Sequence, residues 1–397
     1  MRILMVMPYR QFVGQARAEG IGTVALWDPA LESPAYLSGV AADAEAYLTT
    51  DFGDTAGLRR VLAETAAEHR VDRIVHLGRE ETMVAVAEEA ERLGLAVNPA
   101  RAVARLNDKS LLRQLLDRHG LSPVAVRRFD RPDQVRSALP GLPSPFIAKP
   151  TVLAGSRGVR LISGPDDLAD WERSLAGYGY RGPVLAEEYL RGPEFSVETL
   201  SADGRHQLIG ITAKEVTAPP LFVETAHTHP AALPEADERA IGELVTAMLD
   251  AAGHRFGPVH TEVVLTAAGP RVVESQTRLG GGRIPLLVQL ARGYDMERAV
   301  FAALAGRLEP AGPARGVGRV EFLGFQPGTV VSVCGVDQAE ALPYVHELEV
   351  PFRPGDRVPV AVDAKTRHGH VVVSAPDAAT AVQRCAVVRQ MIRVVTR

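Results

Sequence analysis

The chain has 397 residues, 46% hydrophobic and 23% charged, and its 44 Lys plus Arg against 48 Asp plus Glu leave a net charge of −4. At roughly 100 to 200 residues per domain this length holds two or three domains, each able to bury a core, and the balance excludes a disordered chain or a basic, nucleic-acid-binding surface. The two cysteines, Cys334 and Cys385, fall outside any CxxC or Cys/His spacing, which argues against a disulfide framework or structural zinc and for a reducing, cytoplasmic setting.

In chain order, residues 2–7 read as a short buried strand, 11–19 as a helix and 23–27 as a second strand. Residues 55–69 and 80–93 carry a helical period on either side of an apolar run at 73–77. This alternation predicts a small open parallel sheet covered on both faces. No GxGxxG follows the first strand, so no nicotinamide site is assigned. The run Ile3 to Met7 is cut by Pro8, too short for the roughly 7 to 15 residues of a signal-peptide core. No stretch approaches the roughly 18 apolar residues of a membrane span.

Asn98-Pro99 breaks the pattern, and Asn107 or Asp108 can cap a helix running to His119, stopped by Gly120. Short strands are then predicted at 146–149, 158–162, 184–189, 195–200, 206–212, 260–265 and 271–274, with one helix at 235–252. This is an antiparallel α+β region, and the Pro/Gly segment 310–313 reads as the linker that closes it. Strands near 317–325, 329–333 and 370–373 and a helix from 377 to about 392 make a small third unit. The expected domains are 1–103, 104–312 and 313–397.

Lys109, Lys149, Lys214 and Lys365 are the only lysines, so each is a candidate for a specific role. Lys149 ends an apolar strand, where a buried ammonium needs an anionic partner. The loop Ala154-Gly155-Ser156-Arg157-Gly158 is a hairpin turn whose backbone N–H groups can also close over phosphate oxygens. It is not a P-loop, since GxxxxGK[ST] occurs nowhere. Residues 185–190 lead into Gly192-Pro193, where a strand that stops pairing can present its backbone to a planar base, with Glu194 within reach of ribose hydroxyls. Taken alone, the same stretch reads as an edge strand with solvated acids.

The hairpin around Gly269-Pro270 is more informative. With a five-residue loop at 266–270, Leu265 pairs with Arg271 and Glu262 falls opposite Glu274, while a period of two adds Gln276 and Arg278 to that face. Opposed carboxylates require a cation between them, and two glutamates with an amide are hard oxygen ligands suited to magnesium. A one-residue slip would separate them. Leu279-Gly280-Gly281-Gly282-Arg283 then precedes an apolar helix, offering backbone N–H groups and a positive dipole end to an anion.

The order of these features over roughly residues 100 to 305 resembles the ATP-grasp superfamily: Lys109, Lys149 before the glycine-rich loop, Glu187-Glu188-Tyr189-Leu190 with Glu194, then Glu262, Glu274, Gln276, Arg278 and the glycine run. The stretch Gly210 to Glu215 with Pro219 to His227 resembles the carboxylate-amine ligase branch of L-amino acid ligases and carnosine synthase. The resemblance implies an ATP-grasp fold between an N-terminal open parallel α/β domain and a small C-terminal α+β domain. It implies that Lys109 and Lys149 contact nucleotide phosphates, that Gly155, Ser156 and Gly158 close over them, and that Glu187, Tyr189 and Leu190 hold adenine and Glu194 the ribose. Glu262 and Glu274 would carry Mg2+, with Mn2+ as a substitute, and Arg278 would stabilise the transferring phosphoryl group. Gln276 departs from the asparagine usual in the family, which leaves its contact to metal direct or through water. Lys214, Glu224, His227, Gly281, Gly282 and Arg283 are the candidates for substrate contacts, with Glu224 and His227 on a Pro-rich loop.

The implied reaction activates a carboxylate as an acylphosphate and couples it to an amine, giving amide, ADP and phosphate. The glycine loops at 154–158 and 280–282 would close as lids over the acylphosphate. Small-molecule acid and amine are the expected partners, without nucleic acid or membrane, and a homodimer is compatible with the chain. A biotin-dependent type of carboxylase and a non-catalytic nucleotide-binding regulator are the alternatives. The bare glycine run weighs against the first, and Arg278 beside both glutamates against the second.

Overall fold

The computed structural model describes residues 1–397, the Glu81 side chain apart. Four parallel strands open the chain, in the spatial order Ala46–Thr49, Gly22–Trp27, Arg2–Val6, Arg73–His76. Their apolar residues are buried on both faces by flanking helices, as the near-continuous hydrophobic runs predicted. In and beside this sheet two elements escaped the sequence reading, the helix Pro34–Asp43 and the strand Ala46–Thr49. Ser33 does cap that helix by accepting from the Tyr36 N–H, but only Leu37 and Val40 are buried in it, and the strand lies at the sheet edge, half-buried, so neither carries a strong period.

An eight-stranded antiparallel sheet forms the centre. Its order is Gly269–Gln276, Gly257–Thr266, Glu194–Ala202, Arg205–Val216, Glu224–His229, Val317–Phe322, His370–Ala375, Val345–Glu349. The helix Glu235–Ala252 covers one end of it through Ile241, Val245, Met248 and Leu249, and Gly253 ends that helix in the left-handed region at φ 78°. The sheet runs without interruption from the region before the 310–313 segment into the C-terminal strands, because Glu224–His229 pairs directly with Val317–Phe322. A separate four-stranded sheet, ordered Val126–Phe129, Val184–Glu188, Phe146–Pro150, Arg160–Ile162, packs its face on the helix Pro165–Gly177 around Phe146, Ile162 and Trp171. It holds the glycine-rich loop. We refer to it as the lid.

The hairpin differs from expectation in an instructive way. Thr266 pairs with Gly269 and Leu265 with Pro270, so the turn is two residues and not five. A bulge between Glu262 and Val263 absorbs the resulting offset, and Glu262 still faces Glu274. Glu224 and His227 are likewise not on a loop: both lie on the strand Glu224–His229, which residues 217–223 feed from a Pro-rich turn.

Candidate active site

Asp108 caps the helix Lys109–Arg118, its Oδ1 accepting from the N–H groups of Ser110 (2.8 Å) and Leu111 (2.9 Å). Lys109 and Arg113, four residues apart, therefore share one face that turns toward the sheets. The Lys109 ammonium donates to the Leu153 carbonyl at 3.0 Å and meets Glu274 Oε2 at 2.9 Å. Arg113 takes both oxygens of Glu187, at 2.7 and 3.0 Å, and Lys149 reaches Glu187 Oε2 at 2.7 Å. Burial alone would raise the Glu187 pKa, but Arg113 and Lys149 hold it down to about 2. Burial pulls the Lys149 ammonium below its ordinary value even with Glu187 beside it. The Glu187 side chain is thus engaged by two cations at the wall of the cavity described below. Arg113 had no local signal in the sequence.

Glu274 also accepts from Gln276 Nε2 at 2.7 Å, and the Gln276 Oε1 accepts from Arg278 at 2.9 Å. The longer amide here orients Glu274 and Arg278, with its oxygen turned to the guanidinium. Arg278 is further tied to Glu80 at 2.6 Å, a residue of the N-terminal domain that the sequence reading passed over. Burial would lower the Arg278 pKa, yet Glu80 raises it net, so the guanidinium charge is secure.

Lys214 sits among three carboxylates: Glu262 at 2.5 Å, Glu194 at 2.7 Å and Glu224 at 3.3 Å. Burial opposes its charge, but these acids raise its pKa well above the ordinary value. Glu224 has two further partners, Arg367 at 2.9 Å and His227 Nε2 at 3.3 Å, and despite burial it is held well below the usual carboxylate range. With three partners it is compensated before any substrate ammonium arrives.

The glycine run is fixed in place. Gly280 N donates to Glu198 Oε2 at 3.2 Å, and the other Glu198 oxygen binds His260 Nδ1 at 2.6 Å, while His260 Nε2 lies 3.5 Å from Glu262. Gly282 O faces His227 Nδ1 at 3.2 Å. A Cβ on Gly282, at φ +57°, would stand 2.4 Å from the His227 ring. Gly280 and Gly282 therefore pack against two buried histidines, His260 and His227, while Gly281 between them is exposed. Neither Glu198 nor His260 was a candidate beforehand. Arg283 pairs with Glu347 and donates to His370 Nε2 at 3.1 Å, bridging to the C-terminal strands.

A cavity of about 890 Å³ gathers Lys149, Gly155, Ser156, Glu187, Tyr189, Leu190, Glu194, Lys214, Glu224, Glu262 and Glu274. Gly158 is not among them: a Cβ there would stand 2.5 Å from Leu175, and its carbonyl accepts from Trp171, so it serves the lid's core. An adjoining cleft of about 1940 Å³ is lined by Arg278, Gly281, Gly282 and Arg283 on one side and by N- and C-terminal residues on the other. The two spaces meet at Gly155.

Two facing carboxylates on adjacent strands, buried lysines and a glycine-rich loop border this cavity, and a model of the ATP-grasp domain matches residues 142–285. The chain therefore contains an ATP-grasp domain. Residues 321–397 match the L-amino acid ligase C-terminal domain 2. The chain is 32% identical to an uncharacterized protein of Sinorhizobium fredii over 69% of its own length and 58% of that protein's. It is 28% identical to the alanine–anticapsin ligase of Bacillus subtilis over 55% of its length and 51% of the relative's. The chain thus spans little more than half of these relatives. Its fold matches the crystal structure of an L-amino acid ligase from Bacillus licheniformis with a TM-score of 0.82 and 21% identity, covering 100% of this chain and 98% of the other.

Proposed function

We propose that this protein is an ATP-dependent carboxylate-amine ligase, joining a small acid or amino acid to an amine with release of ADP and phosphate. The observation that carries the reading is the linked set Lys214–Glu262 and Lys109–Glu274 at the cavity, joined through Gln276 to Arg278 of the adjoining cleft. Glu262 and Glu274 fit Mg2+, since their present partners are ammonium groups that a stronger cation can replace, and the ion would supply charge neutralisation at the β- and γ-phosphates. Lys149 would hold nucleotide phosphates, Tyr189 and Leu190 the base through their backbone, and Glu194 the ribose. Gly155 and Ser156 would cover the phosphates from the lid.

In the first step a substrate carboxylate oxygen attacks the γ-phosphorus, the bond to the β-phosphate oxygen breaks, and ADP leaves with that electron pair. Arg278, kept charged by Glu80, and Lys214 would neutralise the charge on the transferring group. The amine nitrogen then attacks the acyl carbon, phosphate leaves, and the nitrogen gives up its proton. His227 Nε2, buried 3.3 Å from Glu224, is the nearest imidazole to that carboxylate and would take it once the acyl group is seated. The fixed glycine run would form the wall against which the acyl group is held.

The test is phosphate release from Mg-ATP against a crossed panel of amino acids and small carboxylates, with product masses read in parallel. Release that needs both components and yields their summed mass less water supports the ligase. Turnover only with bicarbonate and biotin, or none despite tight ATP binding, overturns it.

A further inference from the structure

The segment 359–368 of the C-terminal domain carries Lys365, which lines the cleft beside Arg367. His368 closes the segment at its base, with Nε2 on the Pro359 carbonyl at 2.8 Å and Nδ1 accepting from Phe325 N at 2.9 Å. Its tip is a single turn capped by Asp363, whose Oδ1 accepts from the N–H groups of Lys365 and Thr366, both at 3.0 Å. The second Asp363 oxygen is left for another partner, and it receives the hydroxyl of Tyr178 at 2.7 Å. Tyr178 caps the C-terminus of the lid helix Pro165–Gly177. The Ala364 N–H donates to the carbonyl of Gly155 at 3.2 Å, so the same turn also touches the glycine-rich loop. From the far end of the segment Arg367 reaches Glu224 Oε2 at 2.9 Å, with its guanidinium 3.7 Å above the Phe322 ring. Glu224 lines the nucleotide cavity and Arg367 the substrate cleft, so this pair stands between the two spaces.

We propose that segment 359–368 is a latch that holds the lid down through Tyr178 and Asp363 and, through Arg367 on Glu224, ties lid closure to the acyl pocket, limiting loss of the acylphosphate to water. Its catalytic consequence rests on the ligase reading. The latch has no elasticity of its own: one carboxylate both caps the turn and binds the lid, so a shift of the lid is passed to the backbone that carries Arg367. Tyr178 and Asp363 are positioning residues that line neither the cavity nor the cleft.

The test uses the full chain with Tyr178→Phe, which removes one hydroxyl and no packing. Wild type is expected to release slightly more than one phosphate per amide, and Tyr178→Phe to raise that hydrolytic excess about five-fold, the weight of one hydrogen bond. Hydrogen exchange with Mg2+ and AMP-PNP bound is expected to quicken together in 153–158 and 359–368. Arg367→Gln should raise KM for the carboxylate and leave KM for ATP unchanged, with Arg367→Lys recovering part of the loss. A Tyr178→Phe protein with an unchanged phosphate-to-amide ratio and unchanged exchange in both segments overturns the latch. A wild type that releases no phosphate with any pair overturns the ligase reading instead, and the exchange measurement then still decides the latch.

Discussion

Glu262 and Glu274 are register partners on adjacent strands, and each carries its own lysine: Lys214 lies 2.5 Å from Glu262 and Lys109 lies 2.9 Å from Glu274. The pair is tolerated because every carboxylate is matched before any nucleotide binds. Glu262→Gln and Glu274→Gln should each lower phosphate release at least about 100-fold while the chain stays folded, the scale seen when one charge-stabilising group is removed from a reaction centre. Magnesium titrations of phosphate release check this, and unchanged magnesium dependence would remove both residues from the metal.

Arg278 has a carboxylate on one side and an amide oxygen on the other, from Glu80 and Gln276. Arg278→Met is expected to cost about 100- to 1000-fold in kcat with nucleotide affinity retained. Glu80→Gln should cost less, because Gln276 still orients the guanidinium. Single-turnover phosphate release alongside ATP binding by calorimetry distinguishes the two effects.

The pH dependence of stability has a definite sign at Glu187. Its folded pKa, about 2, lies below the ordinary carboxylate value of 4.5 because Arg113 and Lys149 outweigh burial. Between these values the unfolded chain binds more protons, so stability rises with pH through the window and is lost as pH falls from 4.5 toward 2, on the order of 3 kcal/mol in full. Urea unfolding at a series of pH values should show a shallower slope in this window for Glu187→Gln, which starts from lower stability because two buried cations lose their partner.

Gly282→Ala would put a Cβ 2.4 Å from His227 at a backbone φ of +57°. The expected loss is roughly 1 to 3 kcal/mol of stability together with a raised KM for the acid, since His227 must move. Thermal unfolding and acid KM are read on the same variant. A stable protein with an unaltered KM would free His227 from the acyl pocket.

The sequence displayed residues that sit in local patterns. Lys109 follows its cap, Lys149 ends its strand, and Glu262 and Glu274 were brought together by counting along a hairpin, although the loop length was wrong and a bulge supplied the compensation. Residues whose meaning comes from distant partners were silent. Arg113 meets Glu187 across 74 positions, Glu80 meets Arg278 across 198, Glu198 meets His260 across 62 and Arg367 meets Glu224 across 143. No period or spacing links such pairs, and only the packing of sheets and domains brings them within reach. The glycine run is a further case: its contacts to Glu198 and His227, 82 and 55 positions away, left no trace in its composition.

The continuity of the central sheet sets how this chain can be divided. Val317–Phe322 supplies the hydrogen-bonding neighbour of Glu224–His229. A protein cut before Val317 would bare that strand as an unprotected edge, inviting other chains to pair with it. The segment carrying the proposed acyl-pocket residues therefore borrows its solubility from the C-terminus, and exchanging C-terminal domains between relatives would rewrite the substrate-facing strand's support along with its partner. In engineering terms the unit of transplantation is the strand pair, and a boundary drawn in the linker between them severs what the backbone has joined.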